Sequence, residues 1–285
     1  MLIRWRLKSL VVGMSTKAKN YITGLTPVKN RFKHYIGIDY SGAQTPTSRL
    51  KGLQVFMASR HHDNPVQVRP YDDKNWNWTR KEIALWCVET INSKHPVIIG
   101  LDHGFSFPLS YFDQYQLNSW DEFLDDFCEY WPTDEDHIFV DQIRNSVNRT
   151  GDPKELRLCE KYTSSTKSVF QLDGQGAVGK STHTGIPWLK FIRVNPQISD
   201  KVHFWPFDGF DIPEEQSVIA EVYPSIFRRR YPRIYKSPDE NDAYSIARWL
   251  QENDRQNTLD YYLKPPLTDK VLQQVRLEGW ILGIC

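Results

Sequence analysis

The chain holds only four cysteines in 285 residues, and no two of them form a C-x-x-C pair. Cys87, Cys128, Cys159 and Cys285 are too scattered for a zinc site or a disulfide framework, which points to thiols in a reducing compartment such as the cytoplasm. The sequence contains nothing near the ~20 consecutive apolar residues that a bilayer span needs, so no membrane partner is expected. No segment repeats, and no long Pro/Gly/Ser linker divides the chain. Acidic residues are missing from residues 1–34, which carry eight basic side chains (Arg4, Arg6, Lys8, Lys17, Lys19, Lys29, Arg31 and Lys33). Removing those eight charges from the formal net of +1 leaves residues 35–285 at −7. The apolar run "LVVGM" is too short for a secretory signal, while a basic, acid-free leader leaves organellar import open. Residues 1–34 read as a flexible arm and 35–285 as one folded domain.

What is present describes a globular protein: 40% hydrophobic, 25% charged and 13% aromatic residues. The run "HYIGIDYSGA" reads as a strand ending at Asp39. "GLQVFMASR" and "PVQVRPY" follow as strands whose short connections favour antiparallel pairing. A helix is expected over "NWTRKEIALWCVETINSK", with Thr79 as its cap, and "PVIIGLD" reads as a buried strand ending at Asp102. These elements make a mixed sheet. Residues 110–165, rich in charge and aromatics, read as a helical insertion or lid. Beyond them come a strand, "SVIAEVYP", and a helix, "SPDENDAYSIARWLQEND".

Gly174, Gly179, Lys180 and Ser181 satisfy the phosphate-loop pattern G-x-x-x-x-G-K-[ST]. A working loop of that kind needs a strand before it and an uninterrupted helix after it. "SVFQLD" offers the strand, but Pro187 removes a backbone donor at a cost of about 3 kcal/mol and Gly185 adds about 1 kcal/mol. The expected helix therefore completes little more than one turn, leaving Lys180 and Ser181 as point donors to a substrate phosphate.

Carboxylates carry the stronger signal. Asp39 and Asp102 close the two most apolar strands, where an ionised acid is costly unless paired, and hard divalent cations are natural partners. Glu221 lies inside the apolar "VIAEVYP". Asp242 opens a helix whose inner stripe is Ala243, Ile246, Ala247 and Leu250, with Asp239 one turn earlier. The small Ala243 and Ala247 would let that helix approach the sheet. "FRRRYPRIYK" interleaves Arg228, Arg229, Arg230, Arg233 and Lys236 with Tyr231 and Tyr235, a candidate nucleic-acid track or a solvated face.

In this order the acids resemble those of a ribonuclease-H-like nuclease. "AVGKSTHTGIPWL", "HFWPFDG", "AEVYPSIF", "NDAYSIA" and "EGWILGI" resemble successive motifs of an uncharacterised family of predicted nucleases, catalogued as a domain of unknown function. The resemblance spans residues 35–284. It implies an α/β fold with a mixed five-stranded sheet, the first three strands antiparallel, and helices on both faces. It also implies a Mg²⁺ or Mn²⁺ site at Asp39, Asp102 and Asp242, with Glu221 as a further catalytic acid. The glutamate that ribonuclease H carries after its third strand would fall to Glu82 or Glu89; Asp102 fits the resolvase-like variant better. The expected reaction is phosphodiester hydrolysis of nucleic acid or a small phosphodiester, with His103 as candidate proton shuttle. The competing expectations are a nucleotide hydrolase using Gly174–Ser181 and a catalytically silent binding module.

Overall fold

The computed structural model describes residues 31–62, 64–71, 76–163 and 166–285. Most of the basic leader, residues 1–30, lies outside them. Its last residues belong to the fold: Phe32 is fully buried and the Arg31 and Phe32 amides donate to Asp254.

The strands are β1 (His34–Asp39), β2 (Gln54–Ser59), β3 (Val66–Gln67), β4 (Val97–Asp102), β5 (Val202–Trp205) and β6 (Ser217–Glu221). They form one sheet in the order β3-β2-β1-β4-β6-β5. β1 pairs antiparallel with β2 and β2 with β3, whereas β1–β4, β4–β6 and β5–β6 are parallel. This is a ribonuclease-H-like α/β topology. It has six strands where five were expected, because the short "VHFW" segment adds an edge strand beyond β6.

Both faces are covered. Ile36, Ile38, Val97, Ile99 and Leu101 face a core shared with α1 (Arg80–Ile91) and α6 (Gly179–Arg193). Tyr35, Ile98, Val218 and Ala220 face a second core built with α7 (Pro238–Arg255). The period of two along each strand produces this split. Helix α1 begins in a capping box between Thr79 and Glu82, and α7 in one between Ser237 and Glu240, with Pro238 in its first turn. Side chains of the insertion helices α2 (Leu109–Tyr115) and α3 (Trp120–Tyr130), among them Tyr111, Phe112 and Phe123, belong to the α1/α6 core.

The α7 face explains two glycines. Gly37 and Gly100 are register partners on β1 and β4. A Cβ on Gly37 would lie 2.2 Å from the Ala243 carbonyl oxygen and 2.6 Å from the Ala247 amide nitrogen; one on Gly100 would lie 2.7 Å from Ile246. Small residues on both sides bring helix backbone onto sheet backbone, the approach expected from Ala243 and Ala247. Since backbone cannot yield as a flexible side chain can, Gly37→Ala is expected to destabilise by about 3 kcal/mol, the upper range for overpacking. Urea denaturation would measure it, and a loss under about 1 kcal/mol would show that α7 is free to shift.

Helix α6 overturns one expectation and completes another. It runs for 15 residues straight through Pro187. The proline leaves the carbonyl four residues earlier, on His183, without its helical donor, and the Thr133 hydroxyl donates to it at 2.6 Å. Gly185 is equally accommodated, since a Cβ there would meet the His103 ring at 2.5 Å. The strand expected before the loop is absent: Val169 and Phe170 form a turn. The segment thus has the helix of a phosphate loop without its strand.

Candidate metal centre at the strand ends

Asp39 and Asp102 are register partners at the carboxyl ends of adjacent parallel strands. Each follows its glycine by two residues, so both project on the α7 face, where that helix's first turns carry Asp239 and Asp242. The two strand-end carboxyls face each other closely enough for each to act on the other's titration. Burial raises the Asp39 pKa well above the usual carboxylate range, and the charges of Asp102, Asp239 and Asp242 raise it further. Asp102 is pushed up to about 8, by burial first and then by Asp242. Two acids at one place with too little solvent hold a proton between them.

Asp242 sits at the edge of this pair. Its pKa is raised by burial, while Arg228 opposes the rise by donating to its Oδ2 at 2.7 Å. Among the described residues, no three His, Cys, Asp or Glu side chains are arranged to hold a metal ion. Asp239, absent from the expected ligand set, lines a cleft with Asp39 and adds to its charge repulsion. Its position one turn before Asp242 was the available signal.

That cleft, of about 830 Å³, lies between the loop after β1, the start of α6 and the start of α7. Arg80, fully buried, shapes the loop by donating to the Ser41, Ala43 and Gln44 carbonyls at 2.7–3.0 Å. Gly42 lets it lie against the Lys180–Ser181 peptide, which a Cβ would strike at 2.1 Å. Lys180 and Ser181 therefore do line the same cleft as Asp39. Lys180 is already paired, 2.7 Å from Asp141 and 3.4 Å from Asp173, and Arg144 bridges the same two acids at 3.1 and 2.6 Å. The Ser181 hydroxyl donates to the Val178 carbonyl.

Three expected site residues lie elsewhere. Glu221 pairs in register with Leu101, not Asp102, so the pleat turns it to the α1/α6 face, opposite the aspartates. There both its oxygens accept from Arg157, at 2.5 and 2.8 Å, and Oε2 also accepts from the Phe105 amide at 3.0 Å. His103 packs between Tyr40 and Phe105, with ring centroids 4.5 and 5.1 Å away, and only 3% of it is exposed. Burial lowers its pKa to about 4, so the ring is neutral at pH 7 and without a path to solvent for a proton shuttle. Arg230 is exposed and does not line the pocket of about 330 Å³ that Arg228, Arg229, Arg233 and Lys236 share with Asp242. Tyr231 and Tyr235 line that pocket with them, the Tyr231 hydroxyl donating to Glu252 and the Tyr235 ring packing edge-on against Phe56. Neither ribonuclease-H-type glutamate candidate is at the site either, since Glu82 binds Arg49 and caps α1 while Glu89 accepts from Tyr71.

No family model, no curated protein and no solved structure matches the chain. Among the described residues no helix is long and apolar enough to cross a membrane.

Proposed function

We propose that the protein is a metal-dependent phosphodiesterase acting on nucleic acid or a small phosphodiester, of the kind that the ribonuclease-H-like predicted-nuclease family comprises. The observation that carries this reading is the Asp39–Asp102 pair: two carboxyls aligned on neighbouring strands, of which Asp39 lines the cleft. Buried carboxylates are paired, neutralised by a proton or bound to a metal, and a divalent cation would satisfy both of these at once. An all-oxygen donor pair suits Mg²⁺ or Mn²⁺, because Mg²⁺ commonly takes one or two carboxylates and completes its shell with water and substrate oxygens. Asp39 and Asp102 would hold the ion, and Asp242 would join them once Arg228 moves to a substrate phosphate. The ion would supply an activated water and charge stabilisation at the leaving oxygen. The basic pocket beside Asp242 supports an anionic substrate that runs from the carboxylates toward Arg229, Arg233 and Lys236.

Calorimetry with Mn²⁺ and cleavage of bis(p-nitrophenyl) phosphate, single-stranded DNA and RNA would test the reading. The expected result is Mn²⁺ binding lost in Asp102→Asn, with Lys180→Ala keeping cleavage within about threefold, because Lys180 is balanced by Asp141 and Asp173. Mg²⁺-dependent ATP turnover abolished by Lys180→Ala would instead make the glycine-rich segment the engine, and a wild-type chain that binds no Mn²⁺ would leave a binding module.

A further inference from the structure

A second cavity, of about 700 Å³, opens at the other end of the sheet, where β1 and β4 begin and β2 ends. The length of β1 separates it from Asp39 by about 17 Å, at roughly 3.3 Å per residue. Its wall brings together four histidines, His34, His61, His62 and His95, with Arg31, Lys33 and Arg60. No described lining residue is acidic. Acids stand behind Arg31 and Arg60, which share an adjoining pocket with Glu214, Glu215, Asp254 and Asp260, whereas Lys33, His34 and His95 do not line it; Asp254 itself accepts from the Arg31 and Phe32 amides and from the Tyr35 hydroxyl.

The imidazole of His34 is the part of this wall that the fold leaves unexplained. Its Nδ1 is buried and has no hydrogen-bond partner among the described residues. Leaving a buried polar atom unpaired forfeits its hydration with nothing in return. His34 is also crowded by like charge, since burial, then Lys33, then His95 lower its pKa. Arg31 already donates to the Ile212 and Pro213 carbonyls and His62 shares a hydrogen bond with Ser59, so the capacity to donate to an anion lies with Lys33, His34 and His95, which also line the cavity. The rest of the wall combines the polar Ser59 and Asn64 with the apolar Met57, Val66 and Pro96, and the volume falls in the range of small-molecule sites.

We infer that this cavity is a ligand site independent of the carboxylate centre, and that it takes a small molecule joining a phosphate monoester to an apolar body. A phosphate dianion, with three terminal oxygens and nearly two charges, matches converging cationic donors better than a carboxylate with two oxygens and one charge. Met57, Val66 and Pro96 would cover the apolar body, while Lys33, His34 and His95 hold the phosphate.

Phenyl phosphate is a suitable probe, titrated calorimetrically into the full chain with chelator present so that no divalent ion takes part. Phenyl phosphate is expected to bind about tenfold tighter than inorganic phosphate and than benzoate. Lys33 and His95 are exposed, so Lys33→Ala and His95→Ala should leave the melting temperature unchanged while each weakens binding about tenfold, the loss of one charge-assisted hydrogen bond. Lys180→Ala and Arg229→Ala should leave binding unaltered. The proposal is overturned if phenyl phosphate does not bind at millimolar concentration, if benzoate binds as well, if both Lys33→Ala and His95→Ala bind normally, or if Lys180→Ala or Arg229→Ala abolishes the heat. Because the experiment contains no metal and no hydrolysis, its failure leaves the phosphodiesterase reading untouched.

Discussion

Asp39→Asn is expected to abolish metal-dependent cleavage and, in the same sample, to stabilise the metal-free protein. The two effects have one cause. Asp39 and Asp102 are forced together by register, and burial raises both above the carboxylate range, the charge of Asp102 adding to the rise at Asp39 and that of Asp242 to the rise at Asp102. An asparagine keeps the shape, donates its amide to Asp102 and removes a group that must otherwise hold a proton or become a second buried charge. Stability should rise by about 2 kcal/mol at pH 8, or about 5 °C in Tm for a protein of this size. Activity should fall on the order of 10³-fold, beyond the roughly 10- to 100-fold cost of losing a group that only orients a ligand. A residue of purely structural importance would lose activity and stability together, so the opposite signs are diagnostic. Equal stability and retained cleavage would remove Asp39 from the site.

The sign of the pH dependence follows from the same shifts. In the unfolded chain both aspartates release their protons near pH 3.9, whereas the folded Asp102 holds its proton to about 8. The folded state therefore binds more protons through this window. The favourable contribution is complete below about pH 4 and is lost as pH rises toward 8. Thermal melts of the metal-free protein should show wild type declining over that interval and Asp39→Asn declining less. Added Mn²⁺ should oppose the decline, most strongly near pH 8, where it competes least with protons.

How far the sequence reveals this site depends on the range of the interactions that make it. The strands carrying Asp39 and Asp102 were legible because each is a continuous apolar run ending in an acid. Helix α7 was legible because Ser237, Pro238 and Glu240 mark its start and Ala243, Ile246 and Ala247 mark its inner stripe. The repeated spacing Gly37-x-Asp39 and Gly100-x-Asp102 is a signal that went unused: the glycine admits the helix, and the acid two residues on meets it. Glu221 was misread because its face depends on pairing with Leu101 rather than Asp102, a one-residue matter of register that the "VIAEVYP" segment does not encode locally. Pro187 looked like a helix stop because its remedy, the Thr133 hydroxyl, lies some fifty residues away in the insertion. Lys180 looked free for the same reason, since Asp141 and Asp173 reach it only through the fold.

Arg157→Met is expected to be the most destabilising single change outside the glycine-lined contact, at about 3–5 kcal/mol, because it strands buried anions. Arg157 is 1% exposed and its partners Glu221 and Glu160 are 5% and 2% exposed. Its guanidinium holds both oxygens of Glu221, Oε1 of Glu160 at 3.0 Å and the Glu278 carbonyl at 3.2 Å. Glu278 in turn accepts the Leu109 and Leu158 amides at 2.6 Å, so one network fastens the insertion and the end of α9 (Asp269–Glu278) to the end of β6. Removing only the cation leaves Glu221 ionised in a dry site or forces it to take up a proton. Removing both charges should cost less: Arg157→Met with Glu221→Gln is expected to recover at least about 1 kcal/mol relative to Arg157→Met alone. Urea denaturation of the two variants would settle the comparison, and a double variant no more stable than the single would show that packing, not charge, is what Arg157 contributes. The network lies on the face of the sheet opposite Asp39 and Asp102. Whatever fraction of Arg157→Met remains folded should therefore bind Mn²⁺ with wild-type affinity, which separates the residues that hold this fold from those that face its cleft.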